Sequence, residues 1–373
     1  MGGVGDVDKS INYHAMVIWI INSQRWKYLF ILIGHMEKQV SNSLLDVMQD
    51  GREYESLIRY QYKDLNILGE IRRSISEIYE TRKRYVLCYI ANVVNSNVNN
   101  SIDATDELPF CEMISSVPIE TKEIDIVLVT PGGLANQVYN FVNILRPRFE
   151  KVNFIVLNMA MSAGTIFIMS GDEIIMSSQS KFGPIDPQIP NKEGRFVPAQ
   201  SILVALEEIR LRGEERLEQS KQPYWTDIQL LKNMDVRDIG LAQSASKYSI
   251  DMVKNFLFKY KFKYWNKHYS TGSIVEEQEK CERAEEIANL LCDHSIWKNH
   301  GHAINRDEAW NVCKLKITHS ESIDSLDRAM RRMWAMFYWL FENTSIVKIF
   351  ISNDYCITRN AVSFKSKVDE KTK

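Results

Sequence analysis

Residues 124–165 decide the fold, and their sequence is IDIVLVTPGGLANQVYNFVNILRPRFEKVNFIVLNMAMSAGT. Two apolar runs, 124–129 and 152–157, are typical of buried strands. Each run ends in a turn of small residues, and a helical pattern over 135–145 separates the two runs. Strand, turn, helix and strand in this order predict βαβ units and therefore a parallel sheet.

The pattern continues on both sides of this stretch. Apolar runs predict further strands at 85–90, 173–176 and 346–351, and amphipathic spacing predicts helices at 197–217, 227–264, 276–291 and 323–341. Residues 36–84 indicate helix, with an apolar stripe formed by Leu68, Ile71, Ile75 and Ile78. We expect an α/β fold in three parts: a helical extension (1–84), a parallel-sheet domain (85–319) and a C-terminal helix, strand and tail (320–373).

Composition excludes several classes of protein. The 373 residues carry 46 Lys and Arg against 48 Asp and Glu, so no basic field favours nucleic acid. The six cysteines form no C-x-x-C pair and no zinc spacing, which indicates reduced, mostly buried thiols and no metal. The phosphate-binding pattern G-x-x-x-x-G-K-[ST] is absent, so we expect no nucleotide and no other cofactor.

Residues 15–33 contain two short apolar runs separated by a polar hexapeptide with Arg25 and Lys27. A spanning helix needs about 20 apolar residues, and charges at its centre are unfavourable. We therefore expect a buried or interfacial segment and a cytoplasmic protein. Membrane association through 15–33 is the alternative.

Chemistry is concentrated in the turns that follow the strands. The amides of Gly132 and Gly133 are unshielded by a Cβ and can point at a developing oxyanion. Ser162, in a box of small residues between strand and helix, is typical of a nucleophile elbow, with the Ala163 amide as a second donor. The alternatives are a plain structural turn at 131–133 and a helix-capping serine. Farther along, the Gly-Pro and Asp-Pro steps of 180–188 predict an ordered loop that holds Asp186.

Together the motifs resemble the serine dehydrogenase proteinase family, relatives of the Clp protease and signal peptide peptidase A. They are TPGG (130–133), AMSAGT (160–165), DEI (172–174), FGPIDPQ (182–188), VPAQSIL (197–203) and WKNHGHAI (297–304). The resemblance extends from about residue 85 to about residue 317. It implies the ClpP/crotonase fold, a homo-oligomer and a peptide substrate.

The resemblance also implies site residues. Ser162 would be the nucleophile, Asp186 the orienting carboxylate and His300 the base, while the amides of Gly132, Gly133 and Ala163 would form the oxyanion hole. His302 and Lys181 remain alternatives for the base, and Asp172 remains an alternative for the acid. The sequence departs from the family pattern after His300, where Gly301 and His302 stand.

These features favour a serine endopeptidase that is independent of ATP by itself. A catalytically silent scaffold or oligomeric binding protein is the alternative. Acyl-thioester chemistry on the same fold is disfavoured because it does not need a serine at the elbow. For the oligomer, the apolar stripe at 68–78 and the aromatic helix at 334–341 offer faces that a monomer would have to hide.

Overall fold

The structure, a computed structural model, describes residues 44–59, 66–95, 98–191, 193–268 and 271–361. The backbone forms two compact units, residues 1–47 and 48–373. Of the first unit, the described part is one short helix, Leu44–Val47. The apolar segment at 15–33 lies outside the described residues, and the sheet and the candidate site lie in the second unit.

A mostly parallel sheet is the centre of the second unit, as the buried apolar runs predict. Its strand order is β10-β9-β1-β2-β3-β4-β8, with β5 paired to β3. Strands β1 to β5 and β8 run parallel, whereas β9 and β10 add an antiparallel edge beside β1. The strands are β1 (Tyr85–Ala91), β2 (Glu123–Thr130), β3 (Lys151–Ala160), β4 (Glu173–Met176), β5 (Lys181–Phe182), β8 (Thr318–His319), β9 (Ile346–Ile351) and β10 (Cys356–Asn360), and a separate hairpin consists of β6 (Gln188–Pro190) and β7 (Phe196–Pro198).

Helices connect and cover these strands. The connections between β1, β2, β3 and β4 each contain a helix, as expected for successive parallel strands. In chain order the helices are α1 (Leu44–Val47), α2 (Glu53–Arg59), α3 (Ile67–Arg82), α4 (Glu107–Ser115), α5 (Ala135–Arg148), α6 (Ala163–Met169), α7 (Ala199–Glu218), α8 (Trp225–Asn233), α9 (Val236–Phe256), α10 (Glu277–Cys292), α11 (His294–Trp297), α12 (Arg306–Asn311) and α13 (Asp324–Asn343).

An aromatic cluster joins α4, α5 and α6 to one face of the sheet. Phe110 of α4 stacks on Phe141 of α5, with ring centroids 4.1 Å apart. Phe167 of α6 meets Phe154 of β3 edge-on at 4.8 Å. All four rings are fully buried. Because each large ring removes much apolar surface from water, the cluster fixes α6, the helix that follows Ser162.

Helices α3 and α13 pack against each other and against strands β1 and β3. The buried residues of α3 include Ile71, Ile75 and Ile78, and those of α13 include Met333 and Phe337. The two apolar faces that the sequence offers for an oligomer are therefore covered within the chain, because each one buries the other.

Most predicted elements agree with the structure, and several details differ. The helix predicted over 227–264 is interrupted: the side chain of Asp235 caps α9 by accepting a hydrogen bond from the Arg237 amide. The end of the same segment is a π turn, Leu257–Lys261. Strand β10 was not anticipated, because its sequence CITRN lacks a continuous apolar run.

No helix of the described residues combines the length and the apolar character that crossing a membrane requires.

Candidate active site

Ser162 occupies a strained turn between β3 and α6. Its backbone has a φ of 50° and a ψ of −115°, a region that residues with a side chain rarely adopt. Such strain is typical of functional sites, where it lifts a side chain out of the sheet. The Ser162 side chain makes no capping hydrogen bond to α6, so it is not the helix cap that the alternative interpretation required.

The Pro-Gly-Gly turn lies directly beside this elbow. The Met161 amide donates to the Thr130 carbonyl oxygen at 3.0 Å, which joins the ends of β3 and β2. A Cβ on Gly132 would lie 2.8 Å from both the Met161 carbonyl oxygen and the Ser162 Cβ. Only glycine therefore permits this close approach.

Two backbone amides beside Ser162 are unengaged. Within the described residues, the N–H groups of Gly133 and Ala163 have no hydrogen-bond acceptor. The Gly132 amide differs, because it donates to the Thr130 hydroxyl at 3.1 Å. Of the three amides that we expected to face an oxyanion, two are therefore available as donors, and Gly132 instead provides the space for the turn.

The loop that carries Asp186 is attached to the elbow by Thr165. Its hydroxyl oxygen lies 2.8 Å from the carbonyl oxygens of Ala160 and Gly183, and it accepts a hydrogen bond from the Gly183 amide at 3.0 Å. A Cβ on Gly183 would lie 2.6 Å from the Met161 side chain. The loop is therefore packed tightly against the residue before Ser162.

Two further segments close around the same loop. Phe182 and Ile304 exchange backbone hydrogen bonds at 3.0 and 2.8 Å, which fixes the chain after His300. The Ile185 amide donates to the Leu291 carbonyl oxygen at 2.9 Å, which fixes the end of α10. These bonds bring residues from three distant parts of the sequence to the carboxyl end of the sheet, where open α/β folds bind ligands.

Asp186 and His300, 114 residues apart in sequence, form a hydrogen-bonded pair. His300 Nδ1 lies 2.7 Å from Asp186 Oδ1. The carboxylate is fully buried, whereas the imidazole is partly exposed. This arrangement orients the ring and leaves its Nε2 free to accept a proton, as a base next to a nucleophile requires.

A second histidine approaches the other carboxylate oxygen. His294 Nδ1 lies 3.5 Å from Asp186 Oδ2, and neither atom has a hydrogen-bond partner within the described residues. Sequence reasoning gave His294 no role. His294 follows α10 directly, and nothing in the sequence indicates that this position lies close to Asp186.

Two of the other candidate groups are engaged, whereas Lys181 is not. His302 Nε2 is 3.3 Å from Glu308 Oε1. Lys181 lies on β5, where it pairs with Met159 of β3, and its amine has no hydrogen bond or ion pair in the described part of the chain, so it remains an alternative for the base. Asp172 binds Arg146 at 2.7 Å and accepts from the Val152 amide at 2.9 Å, at the amino end of β3 and thus at the end of the sheet opposite Ser162.

Neither thiols nor metals compete with the serine within the described residues. Burial raises the pKa of the Cys292 thiol to about 12, so this neighbour of Asp186 stays protonated at neutral pH. No group of three or more His, Cys, Asp or Glu side chains in this part of the chain could hold a metal ion.

The family resemblance inferred from the sequence is confirmed by comparison with known families. Residues 57–222 match the family of ClpP-like SDH-type serine proteinases. The matched region contains Ser162, Asp186 and the Pro-Gly-Gly turn, and it ends before His300. The match of this region to a family of serine proteinases supports a peptidase function.

Two curated relatives are uncharacterized proteins of Methanocaldococcus jannaschii. One is 27% identical over 188 residues, which are 50% of this chain and 51% of the relative. The other is 40% identical over 86 residues, which are 23% of this chain and 28% of the relative. The chain therefore spans about half the length of the first and about a quarter of the second.

The solved structures to which the chain is partly similar include two of a membrane-bound stomatin-specific protease, one of them in complex with a substrate peptide. Their TM-scores are 0.35 and 0.36, at 15% and 16% identity, and the similarity covers 61% of this chain and 79% and 74% of those chains. The catalytic domain of the ClpP protease from Plasmodium falciparum has a TM-score of 0.23 at 16% identity, over 33% of this chain and 62% of that chain.

Proposed function

We propose that the protein is a serine endopeptidase that hydrolyses peptide bonds through an acyl-enzyme on Ser162. In this mechanism His300 is the general base and Asp186 orients it. The amides of Gly133 and Ala163 stabilise the oxyanion.

The proposed reaction has two halves. The Ser162 oxygen attacks the scissile carbonyl carbon while His300 Nε2 takes the hydroxyl proton, and the carbonyl oxygen becomes an oxyanion facing the two amides. His300 then gives this proton to the departing amine, and the ester remains on Ser162. A water molecule, deprotonated by the same histidine, hydrolyses the ester and regenerates the hydroxyl.

The contact between Asp186 and His300 is the single observation that carries this proposal. A fold of this class does not require a buried carboxylate bonded to a partly exposed imidazole, whereas nucleophilic catalysis by a serine needs an oriented base. The Nδ1 nitrogen is the one that faces Asp186, at 2.7 Å. A hydrogen bond through Nδ1 favours the tautomer that leaves Nε2 unprotonated and able to accept.

In the structure without substrate, Ser162 and His300 are not hydrogen-bonded to each other. The Ser162 hydroxyl has no hydrogen-bond partner in the described part of the chain. Catalytic hydrogen bonds in proteins without substrate are often long, and they shorten when substrate binds. We infer that a bound peptide brings His300 Nε2 within hydrogen-bond distance of Ser162.

A fluorophosphonate probe tests the proposal without knowledge of the natural peptide. Such probes phosphonylate activated serines, and we expect labelling of the wild-type chain without added nucleotide. Ser162→Ala should abolish the label, whereas Ser170→Ala, a serine at the end of α6 whose hydroxyl donates to the Phe167 carbonyl oxygen at 2.7 Å, should retain it. A folded wild-type protein that is never labelled would instead favour the silent scaffold.

We also propose a homo-oligomer, with helices α7 to α9 as its contact surface. These helices expose many large apolar side chains, and Trp225 alone is 71% exposed. If these side chains form one patch in the folded chain, its area would be uncommon on a monomer, and a second copy of the chain would cover it. Light scattering coupled to size-exclusion chromatography should give a multiple of the monomer mass, and Trp225→Glu should lower it. A monomer mass for the wild-type protein would refute the proposal.

A further inference from the structure

A cavity of about 1070 Å³ opens far from Ser162. Asp172 belongs to its lining and exchanges hydrogen bonds with Val152, the second residue of β3, at 2.8 and 2.9 Å. Ser162 lies two residues after Ala160, the last residue of the same ten-residue strand. Because a strand rises by about 3.3 Å per residue, about 30 Å separates the two places, so the cavity is not part of the candidate active site.

The lining of the cavity combines an apolar surface with several charges. Aromatic side chains supply much of the wall, as is usual for sites that bind small organic molecules. Its aromatic members are Phe262, Tyr264, Trp265 and Trp310, and its six basic side chains outnumber its four acidic ones.

Lys261 is the unusual member of this lining. It ends the π turn Leu257–Lys261, in which the Phe262 amide donates to the Leu257 carbonyl oxygen at 2.8 Å. Turns of this type are rare and are frequent at functional sites. Within the described residues, the Lys261 amine has no hydrogen-bond or ion-pair partner, and burial lowers its pKa to about 8. Glu173 and Asp172 are near enough to favour its protonated form, but neither forms with it the direct ion pair that buried charges normally have.

Most of the acidic groups around this amine bind other basic side chains. Asp172 binds Arg146 at 2.7 Å, and Glu173 binds Arg82 at 2.6 Å. Glu279 lies 2.7 Å from His268 Nε2, and Glu286 pairs with Arg283. Within the described residues, Asp172 Oδ1 has no hydrogen-bond partner and Glu282 has no ion-pair partner, but neither is bonded to Lys261, so the amine is open to an anion that enters the cavity.

We propose that this cavity binds a small organic acid, with its carboxylate on the Lys261 amine and its aromatic body against Trp265 and Trp310. The carboxylate supplies the charge that the lysine lacks, and the aromatic rings of the wall remove the body of the ligand from water. The site is independent of the proposed peptidase chemistry, since none of its residues touches Ser162, Asp186 or His300.

Isothermal titration of the full chain with 3-phenylpropionate tests the proposal, with the uncharged 3-phenylpropanamide as the paired probe. The acid should bind with a dissociation constant of about 1 mM or tighter. The amide should bind about 10- to 100-fold more weakly, because it lacks the charge-assisted hydrogen bond. Equal affinity for the two probes, or no heat from the acid at about 10 mM, would overturn the proposal.

Variants locate the binding. Lys261→Met keeps the length of the side chain and should weaken the acid about 10- to 100-fold, whereas Lys259→Met, an exposed lysine of the same π turn outside the lining, should leave its affinity unchanged. Trp310→Ala, at another residue of the lining, provides a second test that leaves the Lys261 amine in place. Full affinity in both Lys261→Met and Trp310→Ala would contradict the assignment.

The pH dependence provides a further check. The acid binds the protonated amine, so affinity should fall about tenfold from pH 7 to pH 9 as Lys261 loses its proton, and Lys261→Met should remove this fall. An unchanged pH profile in Lys261→Met would contradict the proposal. The charged groups that face this amine are Asp172 and Glu173 from β4 and its preceding turn, Lys316 from the segment before β8, Glu279, Glu282, Arg283 and Glu286 from α10, and Lys267 and His268 from the loop after the π turn.

Discussion

Gly133→Ala is the substitution whose effect follows most directly from the structure. Gly133 has a φ of 143°, and a Cβ there would lie 2.3 Å from the Ile102 carbonyl oxygen and 2.5 Å from the Ile102 nitrogen. Both atoms belong to the backbone, so a rotamer change cannot relieve the contact. The turn must move by about 1 Å to reach an ordinary separation of about 3.4 Å.

The expected loss of stability has two parts. An alanine at this φ costs about 1–3 kcal/mol. The movement also strains the hydrogen bonds of Ile102, which donates to the Gly132 carbonyl oxygen at 2.7 Å and accepts from the Leu134 amide at 2.9 Å. At about 1 kcal/mol each, the total is about 3–5 kcal/mol, below the stability of about 5–15 kcal/mol that is usual for a folded protein. The variant should therefore fold, but it should unfold at a lower urea concentration than the wild-type protein.

The same substitution should also slow the reaction at Ser162, even in the protein that remains folded. A displacement of about 1 Å removes the Gly133 amide from the oxyanion, and loss of one donor lowers the rate about 10²- to 10³-fold. The assay is the second-order rate constant of fluorophosphonate labelling, measured where circular dichroism shows the variant to be folded. Gly194→Ala is the control, because Gly194 also has a positive φ, 75°, yet has open space around it. A folded Gly133→Ala protein that is labelled at the wild-type rate would refute the oxyanion role.

Three further outcomes are expected. His300→Asn should slow fluorophosphonate labelling about 10²- to 10⁴-fold, whereas His294→Asn should change it less than tenfold; the reverse order would make His294 the base. Lys348→Met should lower the free energy of unfolding by about 3–5 kcal/mol in urea titrations, because the amine lies 2.8 Å from the fully buried Asp106 carboxylate, and a change below about 1 kcal/mol would contradict this. Gly213→Ala, inside α7 with nothing within 4 Å of the added methyl group, should raise the melting temperature through a gain of about 0.5–1 kcal/mol, and a lower melting temperature would show that this face is covered.

The strands of the sheet were predictable because each is a local run of buried apolar residues. The strand predicted at 346–351 is found as Ile346–Ile351, and the run at 124–129 lies within Glu123–Thr130. The position of β9 beside β1, in antiparallel orientation, was not predictable, because pairing between residues about 260 apart in sequence leaves no local pattern. For the same reason the mutual packing of α3 and α13 was missed, although both apolar stripes were recognised.

In the candidate site, too, the features with a local sequence pattern were predictable and those that depend on contacts between distant residues were not. The elbow and the Pro-Gly-Gly turn follow from small residues at strand ends, which any parallel sheet brings together. The pairing of Asp186 with His300 came from the family resemblance, since nothing local to either residue points to the other. The engaged amide of Gly132 and the approach of His294 to Asp186 depend on three-dimensional geometry that the sequence does not reveal.

A crystal structure of the chain after reaction with a fluorophosphonate tests the central claim most directly. We expect phosphorus bonded to the Ser162 oxygen, and a phosphonyl oxygen about 2.7–3.1 Å from the amide nitrogens of Gly133 and Ala163. His300 Nε2 should lie within hydrogen-bond distance of the Ser162 oxygen, with Nδ1 still on Asp186. An adduct on another residue, or a phosphonyl oxygen that meets neither amide, would contradict the account.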